Sequence, residues 1–211
     1  MPEPGGPGGP PALRELVVVR HGESEGNAKG LVQGRLPFPL TERGRAQAQR
    51  VADVIGALGW HPEKVVTSPL RRCAETAEVL ASGLGFPPPL PDPAFTEIDC
   101  GEATGRSFAD LEREHPGFFR RPAPQWLGFR EFGGESDDHV LSRVREGLDR
   151  LDGSVLLVTH GAVFKAVLSH LLGLRTQFFL DLRHTTCMRL ERRRIGTSDV
   201  VVWTHFLHAE E

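Results

Sequence analysis

Apolar residues fall along this chain in two recurring patterns. Short continuous runs, Leu16 to Val19, Val65-Val66-Thr67 and Val155 to Val158, predict strands covered on both faces. Longer stretches carry apolar residues at helical spacing. Thr41 to Leu58 is one, with Thr41 as its N-cap. Leu70, Cys73, Ala74, Ala77, Leu80 and Ala81 form another, with Ser68 as the cap residue and Pro69 at the first helical position. Ser136 to Leu151 places Val140, Leu141, Val144, Leu148 and Leu151 on one face, and Ala162 to Leu172 is a fourth helix. The terminal segments "TTCMRLERRR" and "DVVVWTHFLH" predict two strands joined by a turn around Gly196, antiparallel at a sheet edge.

Alternation of strands and helices predicts an α/β fold, a three-layer α/β/α sandwich whose central sheet is mostly parallel with an antiparallel edge strand. At 211 residues the chain suits one domain, expected over 14–208, behind a disordered Gly/Pro-rich tail over 1–13. The segment "FTEIDCGEATG" is turn-rich and resists assignment, and residues 106–134 are irregular and rich in Phe, Arg and Pro. Residues 103–135 are therefore the expected substrate lid.

Composition narrows the function. The net charge of -3 is spread over intermixed signs, so there is no basic field to draw nucleic acid or an anionic membrane. No apolar run approaches the roughly 20 residues that span a bilayer, and the beginning "MPEPGGPGGPPALRE" lacks the features of a signal peptide. A soluble, cytoplasmic protein is expected. Cys73, Cys100 and Cys187 have neither metal-type nor redox-type spacing and are read as buried thiols.

Two of the predicted strands end alike, "LVVVRHG" at His21-Gly22 and "VLLVTHG" at His160-Gly161. Ligands of open α/β sheets gather at such carboxyl ends, and glycine there lets backbone N–H groups approach an anion. Arg20 puts an always-charged fork at the end of an apolar strand, suited to phosphate or carboxylate oxygens. A nearby carboxylate such as Glu23 or Glu25 would also satisfy it. In "TSPLRRCAETA" Arg71 can pair with Glu75 at i+4 and Arg72 at i+3, so spacing does not separate the two arginines.

In this order, "VVVRHGESEGN", "SPLRRCAETA", "FTEIDCGE" and "VTHGAVFKAV" closely resemble the motifs of the histidine phosphatase superfamily, the phosphoglycerate mutase-like family. The resemblance spans Leu16 to Val167 and weakens towards the end of the chain. In the family pattern S-x-L-x-R-A-x-x-T-A the catalytic arginine precedes an alanine, here Cys73, which implies Arg72 and leaves Arg71 at the surface. It also implies Arg20, His21 and His160 as catalytic and Glu97 as the family's acid. Asn27, Gln33, Gly34 and Gly161 are the implied substrate-binding positions. Where the family often reads "GEWEG", this chain has Gly101-Glu102-Ala103-Thr104-Gly105, losing an aromatic and an acid behind Glu97.

The resemblance implies a histidine acid phosphatase-like phosphomonoesterase in which His21 takes the phosphoryl group, Arg20, Arg72 and His160 cradle it, and Glu97 serves as general acid and base. No metal and no cofactor are expected. The expected partner is a small-molecule phosphomonoester, with a homodimer as the assembly allowed for. Phosphoglycerate mutase-type transfer is one alternative. The chain lacks the extended insertion after the acid motif that the cofactor-dependent mutases carry. A catalytically weak phosphate-binding regulatory protein is another, though such a protein needs neither nucleophile nor acid.

Overall fold

The run Leu16 to Val19 is fully buried at the centre of strand β1 (Leu13–Arg20). Successive side chains alternate faces, so Leu16 and Val18 enter one hydrophobic core while Val17 and Val19 enter a second on the other side of the sheet. Two-sided burial removes the polar half of the usual strand alternation, which is why the run is continuous. The structure, a computed structural model, describes residues 13–120, 128–173, 184–195 and 198–207, with backbone alone for Arg120, 192–195 and 198–207.

After β1 come α1 (Glu25–Ala28), α2 (Glu42–Ala57), β2 (Lys64–Thr67), α3 (Arg71–Leu84), β3 (Leu90–Pro91), α4 (Phe108–Glu114), α5 (Asp137–Leu148), β4 (Gly153–Thr159), α6 (Gly161–Leu172), β5 (Cys187–Ile195) and β6 (Ser198–Leu207). The described strands form one sheet in the order β3-β2-β4-β1-β5-β6. β1 to β4 are mutually parallel and β5 is antiparallel to both of its neighbours. Residues of α2 and α3 fill one core, and those of α5 and α6 the other. This is the expected α/β/α arrangement, with the reversed strand one place in from the edge. No described helix is long and apolar enough to cross a membrane.

Arg20 lies opposite Thr159 in the β1–β4 register, and His21 N–H donates to Thr159 O at 2.9 Å. Chains leaving these neighbouring strands feed helices on opposite faces, the topological switch point where an open α/β sheet forms a crevice. His21 and His160 therefore leave the sheet side by side.

Several expectations change. β1 begins at Leu13, inside the expected tail, while residues 1–12 and the turn at Gly196 lie outside the described residues. Ser68 does not cap α3: Leu70 is the N-cap, without a side-chain hydrogen bond. Ser68 N–H instead extends the ladder to Val158 O at 3.0 Å, which keeps the chain on the sheet for one more residue and delays the helix. In 103–135, Leu111, Phe118, Phe129 and Phe132 are buried in the same core as Val144 and Phe164. Phe118 and Phe132 meet edge to face at 5.2 Å. Arg121 and Trp126 lie outside the described residues.

The first turn after β1 rests directly on the start of α2. A Cβ at Gly22 would strike Gly44 O, and one at Gly44 would strike Glu23 O. Thr41 caps α2 by accepting from Gly44 N–H at 3.0 Å, so neither backbone has room to withdraw. Gly44→Ala should cost about 1–3 kcal/mol of stability through this overpacking, read as a lower urea midpoint. An unchanged midpoint would show that the turn and α2 separate freely.

Candidate active site

His21 is 2% exposed, and its Nδ1 lies 2.7 Å from Gly22 O. A carbonyl can only accept, so Nδ1 carries the proton and the lone pair stands on Nε2. Burial first, then the charges of Arg72 and Arg20, hold the imidazole well below its ordinary value, so it is neutral at pH 7. The ring meets that of His160 edge to face, with centroids 5.2 Å apart.

His160 is wholly buried and is also held well below the ordinary histidine range, by burial and then by Arg72, His21 and Arg20. Its Nε2 shares a 2.7 Å hydrogen bond with Ser68 Oγ and lies 3.3 Å from Cys73 Sγ. His160 is the N-cap residue of α6 but makes no side-chain cap, which leaves the first-turn N–H groups from Gly161 onward without one. A Cβ at Gly161 would come within 3.8 Å of Arg20 Nε, so helix start and guanidinium share the crevice.

Arg72 comes from the first turn of α3 and is 1% exposed. Its Nη1 donates to Leu36 O at 2.9 Å and its Nη2 to Gly34 O at 2.8 Å, while Nε is buried with no hydrogen-bond partner among the described residues. Arg71 points outward, 60% exposed, and donates to Glu75 Oε1 at 2.7 Å. Spacing left the two arginines equivalent; in the structure Arg72 faces inward and Arg71 outward.

Glu97 is partly buried and its Oε1 accepts from Ile98 N–H at 3.0 Å. Its charge acts on Arg72, Cys73 and Cys100, which places the carboxylate on the Arg72 side of the crevice. An ion network steadies the loop that carries it. Glu135 accepts from Asp99 N–H at 2.9 Å, pairs with both arms of the Arg143 fork at 3.1 Å and with Arg35 at 3.1 Å. Arg35 Nε also donates to Glu97 O at 3.4 Å.

Two histidines, two arginines and a carboxylate thus converge from four segments in the order of the motifs. Residues 16–203 match the Histidine phosphatase superfamily (branch 1). The chain belongs to that superfamily. A protein named "Probable phosphoglycerate mutase GpmB" from Cronobacter sakazakii is 36% identical over 180 residues, covering 83% of this chain and 82% of that one. A mycobacterial glucosyl-3-phosphoglycerate phosphatase solved with VO3 superposes with a TM-score of 0.77 at 29% identity, covering 91% and 98%. YhfR of Bacillus stearothermophilus superposes with a TM-score of 0.76 at 25% identity, covering 92% and 98%.

Within this superfamily site the four expected substrate-binding positions divide. Gly34, at φ +47°, turns its carbonyl onto Arg72 and so holds the cradle. The Ser24 hydroxyl lies 2.8 Å from Asn27 Oδ1 and 2.7 Å from Gln33 Oε1. Ser24 N–H donates to Asn27 Oδ1 at 3.1 Å, so the single hydroxyl proton is available to Gln33 Oε1, and the amide nitrogens of Asn27 and Gln33 are left as the groups open to other partners. Gly161 carries the first backbone N–H of α6, which no side chain caps. The three thiols are buried, and burial pushes Cys73 and Cys100 far up and Cys187 to about 12, so none is a nucleophile at neutral pH.

Sequence reasoning missed two neighbours of the paired histidines. Ser68 was read as a helix cap. His184, whose ring centroid is 6.2 Å from that of His21, carried no local signal beyond standing just ahead of a predicted strand.

Burial of two neutral histidines has a consequence for stability. Their folded-state values lie well below the ordinary 6.5, so beneath that pH the unfolded chain binds protons that the folded chain refuses. Stability is full above about pH 6.5 and falls as the pH drops through it, by at most about 1.4 kcal/mol per pH unit for each histidine. Urea midpoints should therefore decline from pH 7 to pH 5, and less steeply in a His21→Asn/His160→Asn double variant. Equal slopes in the two proteins would contradict the neutral, buried state of the pair.

Proposed function

We propose that this protein is a phosphomonoester hydrolase that forms a phosphohistidine at His21, acts on a small organic phosphate and requires no metal. The observation that carries this reading is the His21 Nδ1 contact to Gly22 O at 2.7 Å, which leaves the lone pair on Nε2 of a ring that the charges of Arg72 and Arg20 act on. Nε2 attacks phosphorus in line and the bond from phosphorus to the ester oxygen breaks. The Glu97 carboxyl gives its proton to that oxygen, releasing the alcohol. Water then attacks the phosphohistidine, Glu97 takes the proton from the water, and the N–P bond breaks to free inorganic phosphate.

Arg20, Arg72, His160 and the first-turn N–H groups of α6 bind the equatorial oxygens, so their fixed charge and dipoles meet the charge that develops there. A phosphatase among the superposing structures supports hydrolysis. The 36% identity to a protein named as a phosphoglycerate mutase supports a second reading, in which the phosphoryl group returns to the substrate. Phosphoglycerate separates the two: hydrolysis yields inorganic phosphate, and the mutase reading yields an isomer with the phosphate retained.

Purified protein treated with chelator should release phosphate from a panel of phosphomonoesters, and His21→Ala should lower kcat by roughly 10,000-fold or more. Release that survives in His21→Ala, or that chelator abolishes, would sink the mechanism. Glu97→Ala should lose about 100- to 10,000-fold with alkyl phosphates. It should lose much less with aryl phosphates, whose leaving groups need no proton. Equal losses on both classes would remove Glu97 from the acid role.

A further inference from the structure

His21 is flanked on two sides. β1 has β4 on one side, which delivers His160, and β5 on the other, with Val19 opposite Cys187 in the antiparallel register. His184 stands just ahead of β5 and brings its ring to 6.2 Å from that of His21, against 5.2 Å for His160. The His184 Nε2 is buried and has no hydrogen-bond partner among the described residues. A buried polar nitrogen without a partner calls for one, and beside the nucleophile a bound anion can supply it.

The backbone beside it is set deliberately. Thr185, wholly buried, adopts φ +57°, a conformation that a β-branched residue rarely takes. Its N–H donates to His21 O at 3.3 Å and its Oγ1 donates to His184 O at 2.6 Å. Both bonds hold the strained residue in place, and strain of this kind collects at functional sites. Together they fix the main chain of His184 relative to the nucleophile.

We propose that His184 is a third imidazole of the phosphate pocket, donating from Nε2 to an oxygen of the phosphoryl group bound at His21. The assignment rests on the hydrolase reading for the identity of that group. Arg20, His21 and Arg43 are the titratable groups that face it, and Arg43 is itself paired with Glu23 at 3.3 Å. Burial, then Arg20 and Arg43, lower His184 to about 4, so at neutral pH it offers a donor without adding a third charge. That suits a site where two arginines already supply the cationic field.

The test compares wild type, His184→Phe and His184→Gln. Phe keeps a ring against His21 and loses the donor; Gln gives up the ring and keeps an N–H. Calorimetry with inorganic phosphate should show binding weakened by about 10- to 100-fold in His184→Phe, the range of a hydrogen bond to a charged group. kcat/KM should fall in parallel, the melting temperature should stay near that of wild type, and His184→Gln should recover most of the loss. Phosphate binding unchanged in His184→Phe overturns the assignment, as does an equal loss in both variants, which would mark the ring as packing alone. Phosphate binding that weakens in His184→Phe while wild type hydrolyses no ester would leave His184 in the pocket and overturn the hydrolase reading. Wild type that binds no phosphate would overturn both.

Discussion

The arrangement depends on one buried guanidinium. Arg72 is 1% exposed, and its terminal nitrogens donate to two main-chain carbonyls, Leu36 O and Gly34 O. Carbonyl dipoles solvate a cation without cancelling its charge, so the field of Arg72 persists in the crevice. That field, added to the loss of water, keeps His21 and His160 unprotonated. At about 4 Å and an effective dielectric near 20, a unit charge pair interacts by roughly 4 kcal/mol before desolvation. In the proposed mechanism a dianionic phosphoryl group would add counter-charge to that of Glu97, and the buried Nε of Arg72 would be a donor for it.

The fold holds this charge in place from several directions. The β1–β4 register aligns the two histidines, α3 supplies Arg72, and the Gly34 to Leu36 turn supplies the carbonyls that aim it. The carboxylate is placed differently, on a loop rather than a strand end. Glu135, bridging Asp99, Arg143 and Arg35, ties that loop to α5 and to the Arg72-binding turn. The partners of Glu135 are half-buried, so the pairs there are worth more as geometry than as stability.

Much of this was legible in the sequence where the cause is local. Leu16 to Val19 and Val155 to Val158 read as strands because two-sided burial leaves no polar alternation, and the matched His-Gly endings of two such strands pointed to a shared edge. Arg71 and Arg72 could not be separated by spacing, since i+3 and i+4 both suit Glu75; resemblance implied Arg72, and in the structure Arg71 takes Glu75 while Arg72 is the buried one. Glu97 was visible through resemblance alone. Ser68 was misread because a serine ahead of proline looks the same whether its hydroxyl serves a helix or a histidine. His184 was invisible because its nearness to His21 comes from the antiparallel pairing of β5 with β1, far apart in the chain.

Cys73 shows how narrow the electrostatic tolerance is. It occupies the alanine position of the superfamily pattern, and its Sγ lies 3.3 Å from His160 Nε2, close to the proposed phosphate pocket. A thiolate there would offset the charge of Arg72 and repel the phosphoryl group. Complete burial prevents this: it pushes the thiol far above its ordinary range, and the lowering by Arg72 does not overcome it. The sulfur consequently stays a neutral, weakly hydrogen-bonding group against the imidazole and leaves the positive field intact. The same loss of water that keeps two histidines neutral also keeps this cysteine neutral, so one physical cause removes both surplus positive charge and competing negative charge from the crevice.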